Sequence, residues 1–156
     1  MPYRFEPMTA AAAEKIKSWR YEPPFDFYDL DANPDDLAEF MDERNWPDTF
    51  YAVHDEWGSL AGFFVFERKG AAADIGLGLR PDLTGDGAGR RFVEAGLAFG
   101  TESLGITSYR LEVARFNTRA ISVYRRVGFT ETTRFVQETN GGRYDFIRME
   151  RPAPSD

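Results

Sequence analysis

The chain has 156 residues, 42% of them hydrophobic and 15% aromatic, a formal net charge of −7, no cysteine and one histidine, His54. Such a length and apolar content predict a folded chain with a core of its own, and the missing cysteine and lone histidine exclude disulfides, thiolate metal sites, an acyl-cysteine intermediate and a histidine-rich cluster, so no metal is expected. The negative charge disfavours nucleic acid and anionic membrane as partners; it serves solubility, or attracts a cationic small molecule or basic peptide.

The N-terminus, Met1-Pro2-Tyr3-Arg4, has no signal-peptide core and no apolar run reaches bilayer length, so a cytoplasmic location is expected. Tyr3 to Met8 alternates as a strand, and Thr9 caps a helix running to Trp19. Tyr21 to Asn33 is irregular, aromatic and acidic, with prolines that break any helix. Asp35 to Asn45 predicts a second helix. Phe50 to His54, Leu60 to Phe66 and Ala73 to Leu79 read as strands. Pro81 to Gly89 is a turn feeding a helix from Ala88 to Ser103, then come a strand from Tyr109 to Ala114 and a helix from Thr118 to Val127. Arg134 to Thr139 and Tyr144 to Met149 form a hairpin around Asn140-Gly141-Gly142. Residues 1–151 are expected to form one domain and 152–156 a loose tail. Mixed strand and helix order implies a central sheet with helices on its faces.

Two segments carry chemistry. In Ile75-Gly76-Leu77-Gly78-Leu79 one face is aliphatic and the other bare glycine, which predicts close approach by a ligand or another backbone. The strand runs into Pro81-Asp82-Leu83-Thr84-Gly85-Asp86-Gly87-Ala88-Gly89-Arg90-Arg91. A glycine turn opening a helix presents free N–H groups and the positive end of the helix dipole, a site for phosphate, although an ordinary tight turn has the same composition. A Walker loop is excluded for want of Gly-Lys-Ser/Thr, and the dinucleotide fingerprint fails at Arg90. In the second segment, Leu111 to Phe129, Glu112 lies on a strand face opposite Leu111 and Val113, and Tyr124 lies on the apolar stripe of a helix that Gly128 ends. By themselves Glu112 reads equally as a cross-strand partner of an arginine, and Tyr124 as a core aromatic.

Together these segments resemble the GNAT superfamily of N-acetyltransferases. The hydrophobic-x-Pro-x-x-x-Gly-x-Gly-x-Gly pattern at Leu79, Pro81, Gly85, Gly87 and Gly89 is similar to that family's pyrophosphate loop, and Leu111-Glu112-Val113 followed by Asn117, Ala120, Ile121, Tyr124, Gly128 and Phe129 is similar to its second motif. The resemblance implies a mixed, mostly antiparallel α/β sheet of about seven strands flanked by about four helices. It implies acetyl-CoA as co-substrate, no metal, and direct transfer to a primary amine in a ternary complex. By the match, Leu77, Gly78 and Leu79 hold the pantetheine arm, and Thr84, Gly85, Asp86, Gly87, Ala88, Gly89 and Arg90 surround the pyrophosphate. Asn117 contacts the cofactor, Tyr124 is the general acid and Glu112 the base. Thr84 departs from the usual Arg or Gln and Asp86 from a common basic residue, leaving Arg90, Arg91 or Arg125 to supply charge. That departure keeps open a non-catalytic acyl-CoA-binding or sensory domain on the same fold. The acceptor, a small-molecule or peptide amine, is expected between the first two helices, at Tyr21, Phe25, Tyr28 and Asp29 with Asp26 and Phe27, although these aromatics read equally as a plug over the open side of the sheet. A monomer or homodimer is expected.

Overall fold

A computed structural model describes residues 3–85 and 87–153. The elements are β1 (Arg4–Pro7), α1 (Ala10–Lys17), α2 (Pro34–Met41), β2 (Phe50–His54), β3 (Leu60–Lys69), β4 (Ala72–Leu79), α3 (Ala88–Leu104), β5 (Ser108–Ala114), α4 (Thr118–Arg126), β6 (Thr130–Thr139) and β7 (Gly142–Arg151), with short 3-10 turns between α1 and β2 and before α3. They form a seven-stranded sheet in the order β1-β2-β3-β4-β5-β7-β6. The expected tail falls partly at residues 154–156, outside the described residues.

Local chemistry sets the helix ends. The Thr9 side chain accepts from Ala12 N and caps α1, and Asn33 accepts from Asp35 N and Asp36 N ahead of Pro34 at the start of α2. The sequence extends α2 to Asn45; it stops at Met41, because Asp42 takes an extended conformation and caps a new turn through Arg44 N. Strand β6 begins at Thr130, earlier than the alternation predicts, since Thr130 and Glu131 pair with Glu150 and Met149 although their side chains show no apolar periodicity.

Two apolar clusters sandwich the sheet. One lies under α3 and α4 and is built on Phe64, Phe66, Phe92, Leu111, Ile121, Phe129 and Met149; the other lies under α1 and α2 around Ala13, Ile16, Phe50 and Ala52. Strand alternation divides the residues: Phe64 and Phe66 face the first cluster, Phe63 and Val65 the second. Helix α3 approaches the sheet closely at Gly96, where an added Cβ would lie 2.1 Å from Phe64 Cζ.

The neighbouring strands are antiparallel except β4 and β5, which run parallel and share only the pairs Ala72↔Ser108, Ala73↔Tyr109 and Asp74↔Arg110. The last shared pair is clamped: Arg110 donates from Nε to Asp74 Oδ1 at 2.7 Å and from Nη2 to Oδ2 at 2.9 Å, and Lys69 Nζ adds a bond of 2.8 Å. The Arg110 guanidinium, then Lys69, hold the Asp74 carboxyl down to about 2 against the opposing effect of burial. Beyond this clamp β4 keeps β3 as its partner and β5 keeps β7, so the two strands part toward their carboxyl ends.

Gly96→Ala gains about 1 kcal/mol of helix propensity but forces a methyl into a fully buried ring, an overpacking cost of about 1–3 kcal/mol. Because α3 is held by packing on both sides of Gly96, the clash is expected to dominate. Urea denaturation should show a lower midpoint for the variant, and an unchanged or higher midpoint would refute this packing account.

Candidate functional site

The parted ends of β4 and β5 open into a cleft of about 1140 Å³ whose walls come from β4, the turn before α3, the first turns of α3, α4 and the segment between α1 and α2. Leu77, Gly78 and Leu79 line it, as do Thr84, Gly85, Gly87, Gly89 and Arg90. Ala88 does not, because its side chain packs on the main core. Asp86 lies outside the described residues.

The bare glycine face of β4 serves the core first. A Cβ at Gly78 would lie 2.3 Å from the Phe63 ring and one at Gly76 would lie 2.9 Å from Val65 Cγ1, so the missing side chains make room for β3. In the turn, glycine has the other use. Gly85 and Gly87 hold φ of 96° and 76°, which side chains rarely tolerate, and around Gly85 the space is open. Gly87 occupies the cap position of α3 and, as glycine, offers no capping side chain of its own. The 17-residue helix therefore turns its positive end, with Gly85, Gly87 and Gly89 before and within its first turn, toward the cleft. The Thr84 hydroxyl donates to Pro81 O at 2.9 Å, so it closes the turn.

Arg125, one of the cations expected to offset the loss at Thr84, is not on this wall; it lies 3.8 Å from Glu131. Arg90 and Arg91 are on the wall, Arg90 in an ion pair with Glu94. Two arginines not singled out from the sequence, Arg119 and Arg126, also line it. They lie two turns apart on α4, a spacing that was readable once the helix was placed. Arg119 sits over the Phe25 ring at 4.2 Å.

Helix α4 starts where Asn117 Oδ1 accepts from Ala120 N. Asn117 also lies beside the Tyr28 hydroxyl, which accepts from Ala114 N at 3.3 Å. Tyr124 lines the cleft with its ring against Phe129, and its hydroxyl has no hydrogen-bond partner among the described residues. Burial, and secondarily the neighbouring Tyr28, push its phenol well above the usual tyrosine value, so it holds its proton throughout the physiological range. Glu112 is placed differently. It shares a strand face with Ala114, its carboxylate accepts from Arg148 Nη2 at 2.9 Å across the Glu112↔Arg148 register, and it does not line the cleft. The structure thus brings Tyr124 together with Asn117 and the glycine turn, but does not bring Glu112 to the same wall.

At the other end Tyr21, Phe25, Phe27, Tyr28 and Asp29 line the cleft, joined by Trp19, Phe63 and Asp36. Tyr21 Oη donates to Leu79 O at 2.8 Å and so ties this segment to the end of β4; Asp29 accepts from Tyr21 N. Burial, then Asp29, push the Tyr21 phenol up to about 12. Among the described residues no group of acidic, histidine or cysteine side chains is arranged to hold a metal, and no helix is long and apolar enough to cross a membrane.

Residues 12–129 match the model of the acetyltransferase (GNAT) family. The chain is 36% identical over 104 residues to a mycothiol acetyltransferase of Pseudarthrobacter chlorophenolicus, covering 61% of this chain and 32% of that protein. Over 103 residues it is 37% identical to the mycothiol acetyltransferase of Salinispora tropica, covering 60% and 33%. The chain therefore spans about a third of the length of the curated relatives it matches. Its fold is similar to that of a spermidine N-acetyltransferase SpeG chimera from Vibrio cholerae and hSSAT, at a TM-score of 0.78 and 19% identity over 97% of this chain and 96% of that one. It is also similar to the Vibrio cholerae spermidine N-acetyltransferase crystallised with CoA and spermine, at 0.74 and 18% over 97% and 96%.

Tyr21→Phe removes the bond to Leu79 and is expected to cost about 1 kcal/mol at neutral pH. The folded phenol ionises later than the unfolded one at about 10, so the contribution of Tyr21 is whole below that pH and falls as pH rises toward 12. Denaturation of both proteins at pH 8 and pH 11 checks this; a stability gap that widens at the higher pH would contradict it.

Proposed function

The chain belongs to the GNAT acetyltransferase family, and from that premise we propose that it transfers acetyl from acetyl-CoA to a primary amine by direct attack in a ternary complex. The observation that carries this proposal is the opening of the glycine turn at the head of α3 into the same cleft as Tyr124. The names of the relatives, mycothiol acetyltransferase and spermidine N-acetyltransferase, support an amine acceptor.

The wall residues fit such a co-substrate. Gly85, Gly87, Gly89 and Arg90 offer backbone N–H groups and charge to a pyrophosphate, Arg119 and Arg126 supply the cations that Thr84 does not, and Leu77 to Leu79 offer an edge of backbone to the pantetheine arm. Bound there, acetyl-CoA supplies a thioester whose C–S bond breaks as the new N–C bond forms. Tyr124 is the proton donor. Burial makes its phenol a weaker acid, so it keeps the Oη proton at neutral pH and offers it to the sulfur on which negative charge develops as the C–S bond breaks. The amine reacts only after losing a proton. That proton leaves through water toward the carboxylates on the acceptor wall, Asp29 and Asp36; Glu112, paired with Arg148 off that wall, is left out of the route. The aromatic wall of Phe25, Phe27 and Tyr28, beside those carboxylates, suits a cationic amine with an apolar part.

The use of the Thr84 hydroxyl within its own turn favours a second reading, an acyl-CoA-binding domain without turnover. Calorimetry with CoA, paired with CoA-release assays across amines, separates the two. Tyr124→Phe is expected to leave CoA affinity near wild type and to lower kcat about 100-fold. Equal turnover by wild type and variant would remove Tyr124 from the role, and tight binding with no turnover on any amine would favour the second reading.

A further inference from the structure

On the α1–α2 side of the sheet the cleft ends on one ring. Phe63 of β3 and Gly78 of β4 are directly opposite each other, and the Phe63 ring fills the space that a side chain at position 78 would take: a Cβ there would lie 2.3 Å from Phe63 Cε1. Phe63 and Gly78 line the cleft, whereas the next pair on the same face, Val65 and Gly76, does not. The ring is braced from behind. Phe40 meets it edge-on at 5.4 Å and Phe50 at 6.3 Å, and Trp46 packs on Phe50 at 5.4 Å while its Nε1 donates to Phe40 O at 2.7 Å. Rings packed in this way leave their rotamers only by disturbing each other, so Phe63 is a fixed stop in front of the close-packed α1–α2 cluster.

The side from which a co-substrate enters gives this stop a use. The glycine turn and Tyr124 belong to α3 and α4, which pack on the opposite face of the sheet from Phe63. A thioester with its phosphates at that turn and its sulfur beside Tyr124 reaches into the gap between β4 and β5, and its acyl group emerges toward the face that carries Gly78. Two directions are then left to the acyl carbons. One crosses the bare Cα of Gly78 and ends on the Phe63 ring. The other runs along the wall of Phe25, Phe27 and Tyr28, where the amine has to stand.

We propose that Phe63, seated on Gly78 and braced by Phe40 and Phe50, gauges the acyl donor: acetyl fits beside the ring, and butyryl and longer chains are turned into the path of the amine. This rests on the acetyltransferase reading above. The bonds exchanged are the same for every donor, N–C forming and C–S breaking while the sulfur takes the Tyr124 proton. The ring decides which donor leaves the amine its place.

Calorimetry without amine gives the affinities of CoA, acetyl-CoA and butyryl-CoA, and CoA release gives kcat/KM for each donor and the KM of the amine against each. Wild type is expected to use butyryl-CoA at least about tenfold less well than acetyl-CoA, with the KM of the amine raised when butyryl-CoA is the donor. Phe63→Leu and Phe63→Val, the second suited to a strand, are expected to raise the affinity for butyryl-CoA relative to acetyl-CoA about tenfold over wild type, the scale of burying two methylenes, and to narrow the kinetic preference with it. Val65→Ala loosens the same cluster away from the cleft and is expected to leave both ratios unchanged. Wild type that binds CoA but uses the two donors equally, with one KM for the amine, overturns the inference even if neither Phe63 variant folds, and leaves CoA binding standing. Ratios unmoved in the folded Phe63 variants, or moved as far by Val65→Ala, overturn the role of the ring. Absence of CoA binding overturns the reading beneath it, and the inference falls with it.

Discussion

The site depends on one constraint: β4 and β5 share three residue pairs and then separate. A parallel pair requires a crossover, here α3, and the crossover helix starts at the carboxyl end of β4, where the strands have parted. A ligand crevice at the carboxyl ends of parallel strands follows from that geometry, as it does in other α/β sheets. The Asp74–Arg110 fork with Lys69 stands at the last shared pair, so the strongest polar contact between the two strands is also the point from which they diverge.

The two walls differ chemically for reasons that lie in their elements. The α3 side carries the positive end of the helix dipole behind Gly85, Gly87 and Gly89, and α4 adds Arg119 and Arg126. The side formed between α1 and α2 is aromatic and acidic. Between them lie two partly buried phenols. Tyr21 is held by a carbonyl and organises β4, whereas the Tyr124 hydroxyl has no hydrogen-bond partner among the described residues. A hydroxyl on the cleft wall that no described side chain or carbonyl engages is open to a ligand, which distinguishes Tyr124 from a core aromatic better than its place on the helical stripe does.

What was legible in the sequence was local. The Thr9 cap, the Asn140-Gly141-Gly142 turn, the Gly85 and Gly87 turn and the α4 stripe depend on residues within a few positions of each other, and they lie where the pattern predicts. Other features required pairing partners that no spacing encodes. The glycines of β4 read as a bare face for a ligand, but Phe63 and Val65 of β3 lean over them. Glu112 read as a base or a cross-strand partner, and the register that sets it opposite Arg148 is a property of the sheet. Arg125 and Arg126 are adjacent in the chain, yet only Arg126 reaches the cleft, because one residue along a helix turns the side chain by about 100°. The hydrogen bond from Asn33 Nδ2 to Thr139 Oγ1 joins residues 106 positions apart, and nothing local announces it.

Hydrogen exchange with and without CoA tests the central claim most directly, because it reads the backbone on which the account rests. Added CoA is predicted to slow exchange at the amides of Leu77 to Leu79 and of Gly85, Gly87, Gly89 and Arg90, and to leave the outer edge of β6 unchanged. Protection confined to other elements, or none at these amides while CoA is bound, would contradict a cofactor cleft between β4 and β5.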